Sequence, residues 1–467
     1  MVARAGRIDL NAKRPHPSRQ LHITSAGGTL RKTGRAMKLI STIAFAVALA
    51  TPAAAADFTG RWEIAGRQFG MFPSFQPLND GRLEIAPGGG ANYTARYNAL
   101  SFTGTLQKDG LHLDCTAADK PCGSIVLQES GGHLTGGGMI AGEPIDITGK
   151  RPVMRPYPAG KLYDFTPKQF HTLYSDSAAP ALHIFSGDSV HTETVDNRGY
   201  DGKNVLRSAH GNPLTGPFYV EGAMPGDTLV VHLTRVRLNR DSAFQSNAVA
   251  GNALTPAFLQ SQPHSDGSPA EWRLDAGAGS GTLARPTAHL RDYKVALMPM
   301  LGCIGVAPPR QQAIASSNLG PWGGNMDSQL VREGTTVYLP VFRPGALLYV
   351  GDTHAQQGDG ELPGQAMETS MDVTFQVEVI EGKTLGQPWL ETADDVAVMG
   401  VGGSLDESLR VATSGLSQWL IERYHLSPAE LAAVLGTAMH YEIAEVVDPQ
   451  INVVAKIRKE MLAKIHP

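Results

Sequence analysis

After residue 56 the chain has no apolar run of the roughly 18 to 20 residues that a helix needs to cross a bilayer, which excludes a later helical membrane anchor. Basic residues are not in excess either. Residues 1–56 hold nine of the 40 Lys and Arg and one of the 44 Asp and Glu, so the remainder carries 31 basic against 43 acidic residues, a net charge near −12. That balance argues against a polyanion such as nucleic acid as partner and suits a protein that binds cations or neutral small molecules. There is no internal repeat, low-complexity tract or heptad register. No G-x-S-x-G elbow is present, and Ser316-Ser317 lacks the glycine-rich setting of an exposed nucleophilic serine, which argues against a serine hydrolase. Cysteine is scarce at three residues, so one disulfide is the most the chain can close on itself.

Turn formers, by contrast, are plentiful: 52 glycines and 31 prolines in 467 residues favour short strands over long helices. The expected class is α+β, mostly β. At the N-terminus, MKLISTIAFAVALATPAAAADF combines Lys38, an apolar run from Leu39 to Ala50 and small residues before Asp57, the pattern of a cleaved signal peptide over residues 37–56. Residues 1–36 are then a leader or a misassigned start. The mature protein is expected to be periplasmic or secreted, and free of the membrane once cleaved. In that oxidising setting Cys115 and Cys122, seven apart around a polar loop, are expected to pair, while Cys303 in MLGCIGVAP is a small buried hydrophobe before it is a reactive thiol.

From 57 to 154, short β-type runs alternate with glycine-rich turns about every ten residues: GRLEIAP, ANYTARY, LSFTGTL, GLHLDC, GSIVLQ, GHLTGGGM and PIDITGK. This spacing predicts a small antiparallel barrel or sandwich with Trp62 and Phe72 in its core. The three-proline run RPVMRPYPAG ends it, and residues 155–164 are expected to be a linker. A second β-rich unit spans 165–467. Within it, residues 247–284 turn polar and rich in Gly, Ser and Pro, a long excursion expected to form a pocket rim or an oligomer contact. Capping patterns at Ser404-Leu-Asp-Glu407 and Ser427-Pro-Ala-Glu430 predict helices over 405–425 and 428–437, the first with Leu405, Leu409, Ala412, Leu416, Trp419 and Leu420 on its apolar stripe.

Three stretches carry ligand-type chemistry. In GDTHAQQGDGE, residues 351–361, Asp352 and His354 share a strand face, as do Asp359 and Glu361 if the chain is extended again after Gly358. Carboxylates and imidazole are natural ligands of zinc, and a predominance of oxygen leaves calcium or magnesium open. A polar surface turn is the plain alternative. Gly323-Gly324-Asn325-Met326-Asp327 again spaces two polar groups two apart, and SGDSVHTETVDNRGYDG holds His191, Glu193 and Asp196 on and after a strand.

Taken together, SGDSVHTETVD, NPLTGPFYVEGAMPGDTLVVHL, LGCIGVAP, GGNMD, VYLPVFRPGALLYVGDTHAQQGDGE and the closing helical region resemble the acetamidase/formamidase family over about residues 165–465. The β-domain at 57–154 is outside that likeness. The resemblance implies a metal-associated hydrolase of short linear amides that releases ammonia and a carboxylate, on a β-rich homo-oligomeric scaffold. It points to Asn325 and Asp327, to Asp352, His354, Gln357, Asp359 and Glu361, and to Glu193 and Asp196. On this reading Asp327, His354, Asp352 and Asp359 hold a divalent ion, zinc before calcium or magnesium. Glu361 and Glu193 are candidates for the general base and acid, and Asn325, Gln357 and Asp196 contact a small amide. Two rivals are a thiol amidase using Cys303 and an exported protein that binds a ligand without turnover.

Overall fold

In the computed structural model of the chain, residues 56–68, 80–97, 100–158, 160–261, 263, 265 and 267–466 are described. The leader, nearly all of the signal pattern and Phe72 lie outside the described residues. Eight antiparallel strands from Gly60–Gln68 to Glu143–Lys150 each pair with their neighbour in sequence, and the first pairs with the last to close a barrel. Closure depends on Gly60–Gln68, the one strand not anticipated above, because its run follows directly on the leader. Alternation sets the faces: in Gly110–Ala117, Leu111, Leu113 and Cys115 point inward while Asp114 and Thr116 face out. The hairpin centred on Gly131-Gly132 has both residues at positive φ, 59° and 80°, the twist that a tight two-residue connection requires. Trp62, Tyr97, Phe102, Leu111 and Leu127 fill the interior, so the barrel is a packed core. Cys115 and Cys122 form a disulfide between two adjacent strands, with their Cα atoms 5.1 Å apart.

The chain does not then pass through a free tether. Tyr157 Oη and Lys161 N donate to the carboxylate of Asp188, at 2.5 and 2.8 Å, and Leu162–Phe165 is already a strand paired in parallel with Ser189–Glu193. The linker expected over 155–164 is therefore pinned, and the described residues from Ala56 onward pack as one unit. An ionic seam fastens the barrel to the rest. Both terminal nitrogens of Arg82 meet Asp227, at 2.6 and 2.7 Å, and Arg343 bridges Asp80 and Asp176 at 2.9 and 2.6 Å.

Beyond the barrel, nine-stranded and eleven-stranded sheets enclose a core that includes Val231, Leu301, Leu348, Val350 and Phe375. The eleven-stranded sheet positions the site. Its strand Leu348–His354 is buried at every residue, as expected of the apolar run LLYV covered on both faces. It lies between Met300–Gly305 and the two-residue strand Glu368–Thr369, and Gly323–Asn325 pairs beyond Met300–Gly305. The 247–284 excursion is more regular than its composition suggests. Ala270–Asp275 and Ser280–Leu283, with Ser242–Gln245 and Lys294–Ala296, form an arm that joins the sheet through Glu368–Thr369. Helices span Leu405–Tyr424 and Pro428–Ala438, the second with a complete capping box. The first buries Ser408, Ala412, Leu416 and Leu420. Leu405 and Leu409, expected on the inner stripe, are exposed instead because the inward face steps by four residues.

Asp227 is 1% exposed, so removing its fork-shaped partner would leave a buried charge. Arg82→Ala is expected to lower stability by about 3–5 kcal/mol, and Arg82→Lys to recover only part of that because a lysine cannot span both oxygens. Denaturant unfolding of the three proteins measures both differences.

Candidate functional site

Two neighbouring strands and three backbone kinks bring the polar groups together. His354 ends the strand Leu348–His354 and lies opposite Glu368, its cross-strand partner, so the two side chains share a face. Asp352, two residues back, projects toward the same space. Asp327, Asp352 and Glu361 all adopt left-handed backbone conformations, with φ of 42°, 49° and 48°. Such residues cost roughly 1–3 kcal/mol each and persist where the surrounding structure dictates them, commonly at functional sites. Gly302 makes the space: a Cβ on it would lie 2.5 Å from Asp327 Oδ1 and 2.8 Å from the Asp352 carbonyl oxygen.

The imidazole is oriented by an amide. Gln357 Nε2 donates to the carbonyl oxygens of Asp327 and Ala444, at 2.5 and 3.0 Å, which turns its oxygen toward His354 Nδ1 at 2.9 Å. Nδ1 thus carries a proton and Nε2 is left facing Glu368 at 3.4 Å and Asp352 at 3.7 Å. On the other side, Asn325 Nδ2 donates to Asp327 Oδ2 at 2.6 Å and to Asp448, while Asn212 Nδ2 reaches Asn325 Oδ1 at 3.0 Å and Asp352 Oδ2 at 2.7 Å. Each aspartate therefore has one oxygen held and one free.

Asp327 Oδ1, Asp352 Oδ1, His354 Nε2 and Glu368 Oε2 are buried and have no hydrogen-bond partner among the described residues. Asp352, His354 and Glu368 can each offer an atom within 4.8 Å of the others, as can Asp327, His354 and Glu361. Among the described residues, the ion pairs of these carboxylates are all with His354 and none is with Lys or Arg. Burial pushes Asp327 and Glu368 well above the usual carboxylate range and Glu361 up to about 7, against the opposing pull of His354. Burial also raises Glu445 to about 8 and Asp448 to about 6. For His354, burial acts downward, but Glu368 and Asp352 outweigh it and hold the ring well above its ordinary value. Buried carboxylates whose ion pairs are with one imidazole and with no lysine or arginine among the described residues are what a divalent cation would satisfy, and one imidazole nitrogen with carboxylate oxygens is a set that fits zinc.

The structure brings Asn325, Asp327, Asp352, His354, Gln357 and Glu361 into this cluster. It does not bring three others. Asp359 is exposed and accepts from Gln329 Nε2 at 3.3 Å, because residues 359–361 form a tight helical turn instead of the extended segment that would have aimed Asp359 and Glu361 alike. Glu193 is exposed, since strand alternation turns Val190 and Thr192 inward and His191 and Glu193 outward. Asp196 is buried but committed to Arg240 at 2.7 Å and to the amides of Arg198 and Tyr200, so it anchors a loop. Glu368, Asp448, Glu445 and Asn212 were not anticipated. Asn212 opens the stretch NPLTGPFYVEGAMPGDTLVVHL without standing out in it, and Glu368 lies two residues before the strand run SMDVTFQVEVI. Strand pairing, which sequence spacing does not reveal, is what sets it opposite His354.

Residues 166–319 and 320–398 match the Acetamidase/Formamidase family. A formamidase of Methylophilus methylotrophus is 24% identical over 246 residues, covering 42% of this chain and 60% of its own. The chain spans about three fifths of the length of the curated relatives it matches. Acetamidase structures from Bacillus halodurans and Yersinia enterocolitica share 27% and 26% identity with it. They align over 65% and 67% of this chain and 99% and 96% of their own, at TM-scores of 0.55 and 0.57.

Gly302→Ala is expected to cost about 1–3 kcal/mol through overpacking and to weaken divalent-cation binding, measured by denaturant unfolding and by equilibrium dialysis. A pH effect follows as well. In the metal-free protein these carboxyls bind protons more tightly when folded, so their contribution to stability is complete below the ordinary value of 4.5 for glutamate and is lost as pH rises toward about 8. The melting temperature should fall between pH 5 and pH 8.5. Glu445→Gln, which keeps an oxygen for the amides of Val447 and Asp448, should remove the uppermost part of that fall.

Proposed function

Residues 166–398 of the chain belong to the acetamidase/formamidase family, and on that premise we propose that the protein is a metal-dependent hydrolase of carbon–nitrogen bonds in linear amides, releasing ammonia and a carboxylate. The observation that carries this reading is a buried cluster in which Asp352, His354 and Glu368 can each offer a ligand atom within 4.8 Å of the others, as can Asp327, His354 and Glu361, with Asp327 Oδ1, Asp352 Oδ1, His354 Nε2 and Glu368 Oε2 unpartnered among the described residues.

An amide resists hydrolysis because resonance makes its carbonyl a poor electrophile and its nitrogen a poor leaving group. A divalent cation, zinc by its fit to one nitrogen and several oxygen donors, supplies when bound Lewis acidity toward a carbonyl oxygen and acidifies water toward a pKa of about 7. The chain's own residues would hold it through His354 Nε2, Asp352, Glu368 and Asp327. Gln357 fixes the tautomer that presents Nε2, and Asn325 and Asn212 each tie down a carboxylate oxygen so that the other stays directed inward. Glu361 is the proton carrier. Its Oε1 accepts from the Ala366 amide at 2.9 Å, and burial sets its carboxyl at about 7, where it can both take a proton from water and return it to the departing nitrogen.

Cys303 does not suit the nucleophile's role. Its Sγ donates to Asn325 Oδ1 at 2.8 Å, and burial together with Asp352 and Asp327 pushes the thiol well above its ordinary range, away from the reactive thiolate. Export is proposed on the signal pattern at 37–56, and the Cys115–Cys122 disulfide suits an oxidising compartment. Self-association is proposed from the family, and the exposed apolar side chains Leu405, Leu409, Tyr441 and Ile443 support it.

Metal analysis of the purified protein, joined to ammonia release from formamide and acetamide with and without a chelator, tests the assignment. Activity should vanish with the metal and return with zinc. Glu361→Gln should keep the metal and lose on the order of 10²- to 10⁴-fold in turnover. Loss of metal in that variant would move Glu361 into the ligand set.

A further inference from the structure

Glu361 and Gln357 border a cavity of about 200 Å³ that formamide and acetamide do not explain. Its walls come from the arm and from the segment after Gly358. Trp272 is 6% exposed and is held by an Nε1–H bond to Gln245 Oε1 at 3.1 Å. Tyr293, half exposed, stands against it with ring centroids 6.3 Å apart, and Val295 and Met367 complete the apolar wall, opposite the polar Gln245, Gln356, Gln357 and Glu361. One polar group is left over. Gln356 donates through Nε2 to the carbonyl oxygen of Gln357 at 3.1 Å, and its Oε1, buried at the cavity, has no partner among the described residues.

A cavity of about 150 Å³ lined by apolar side chains accommodates a benzene ring, so this one has room for a ring and a little more. Acetamide, with four heavy atoms, would leave most of it vacant. We infer that this pocket selects primary carboxamides whose acyl carbon bears a flat, apolar group of about ring size, seated between Trp272, Tyr293 and Met367. The unpartnered Gln356 oxygen accepts an N–H of the substrate, a contact that an amide can make and the product carboxylate cannot. The inference rests on the amidase reading for its chemistry, and it assigns specificity to the arm, a part of the chain that takes no part in holding the cation.

Two readouts test it. In metal-loaded protein, kcat/KM for benzamide and phenylacetamide should exceed that for acetamide by about ten- to a hundredfold, the advantage of burying a ring. Val295→Trp, which fills the cavity, and Tyr293→Ala, which opens its wall, should each reduce that ratio several-fold. In metal-stripped protein, calorimetry should detect benzamide binding that Val295→Trp abolishes. Turnover of acetamide at least as efficient as that of benzamide, with no binding sensitive to Val295→Trp, overturns the pocket and leaves the amidase reading standing. Binding that is sensitive to Val295→Trp, in a protein whose loaded form releases no ammonia from any of these amides, overturns the amidase reading and keeps the pocket. Absence of both overturns both.

Discussion

Negative charge out of reach of water is the constraint around which this protein is organised. Asp327, Asp352, Glu361 and Glu368 surround a single imidazole, and Glu445 and Asp448 lie just behind. Lysine and arginine are used freely elsewhere, in the seam at Arg82 and Arg343 and in the loop anchor at Arg240, yet none pairs with these carboxylates among the described residues. A core can hold such a group only with the carboxyls largely protonated or with a cation among them. The amide side chains serve the same end. Asn325, Asn212 and Gln357 satisfy the outward-facing half of Asp327, Asp352 and His354 in turn and leave the inward half of each free.

Rigidity follows from how those groups are mounted. His354 and Asp352 sit on a strand buried along its whole length, Glu368 on the strand paired with it, and Asn325 two strands away in the same sheet. The three left-handed carboxylate residues are kinks imposed on that frame. Strain of this kind is tolerable because the strand that carries Asp352 is buried throughout and its Leu348 and Val350, with Leu301 of the neighbouring strand, belong to the main apolar core.

The sequence was legible wherever a local rule decides the outcome. Turn spacing showed the barrel, the serine caps marked both helices, and two-residue spacing placed Asp352 beside His354 and Asn325 beside Asp327. It was least legible where a decision depends on distant chain. Asp359 looked equivalent to Glu361 until the turn at Gly358–Gly360 separated them, and Glu193 was indistinguishable from an inward residue without knowing which face of its strand the core covers. Glu368 has no motif of its own, and only pairing with His354 gives it a role. The expected linker differed for a similar reason: three prolines do suggest a tether, but Asp188, contributed from elsewhere, captures Tyr157 and the Lys161 amide and ties the segment down.

The two-residue strand Glu368–Thr369 also couples two parts of the molecule. It is at once the sheet connection by which the arm is attached and the carrier of a carboxylate in the cluster. An alteration at the root of the arm therefore falls beside the cluster, whereas one in its outer hairpin, Ala270–Asp275 with Ser280–Leu283, is separated from it by Ser242–Gln245. Attachment of the arm and placement of a site carboxylate are thus one structural decision, made within two residues.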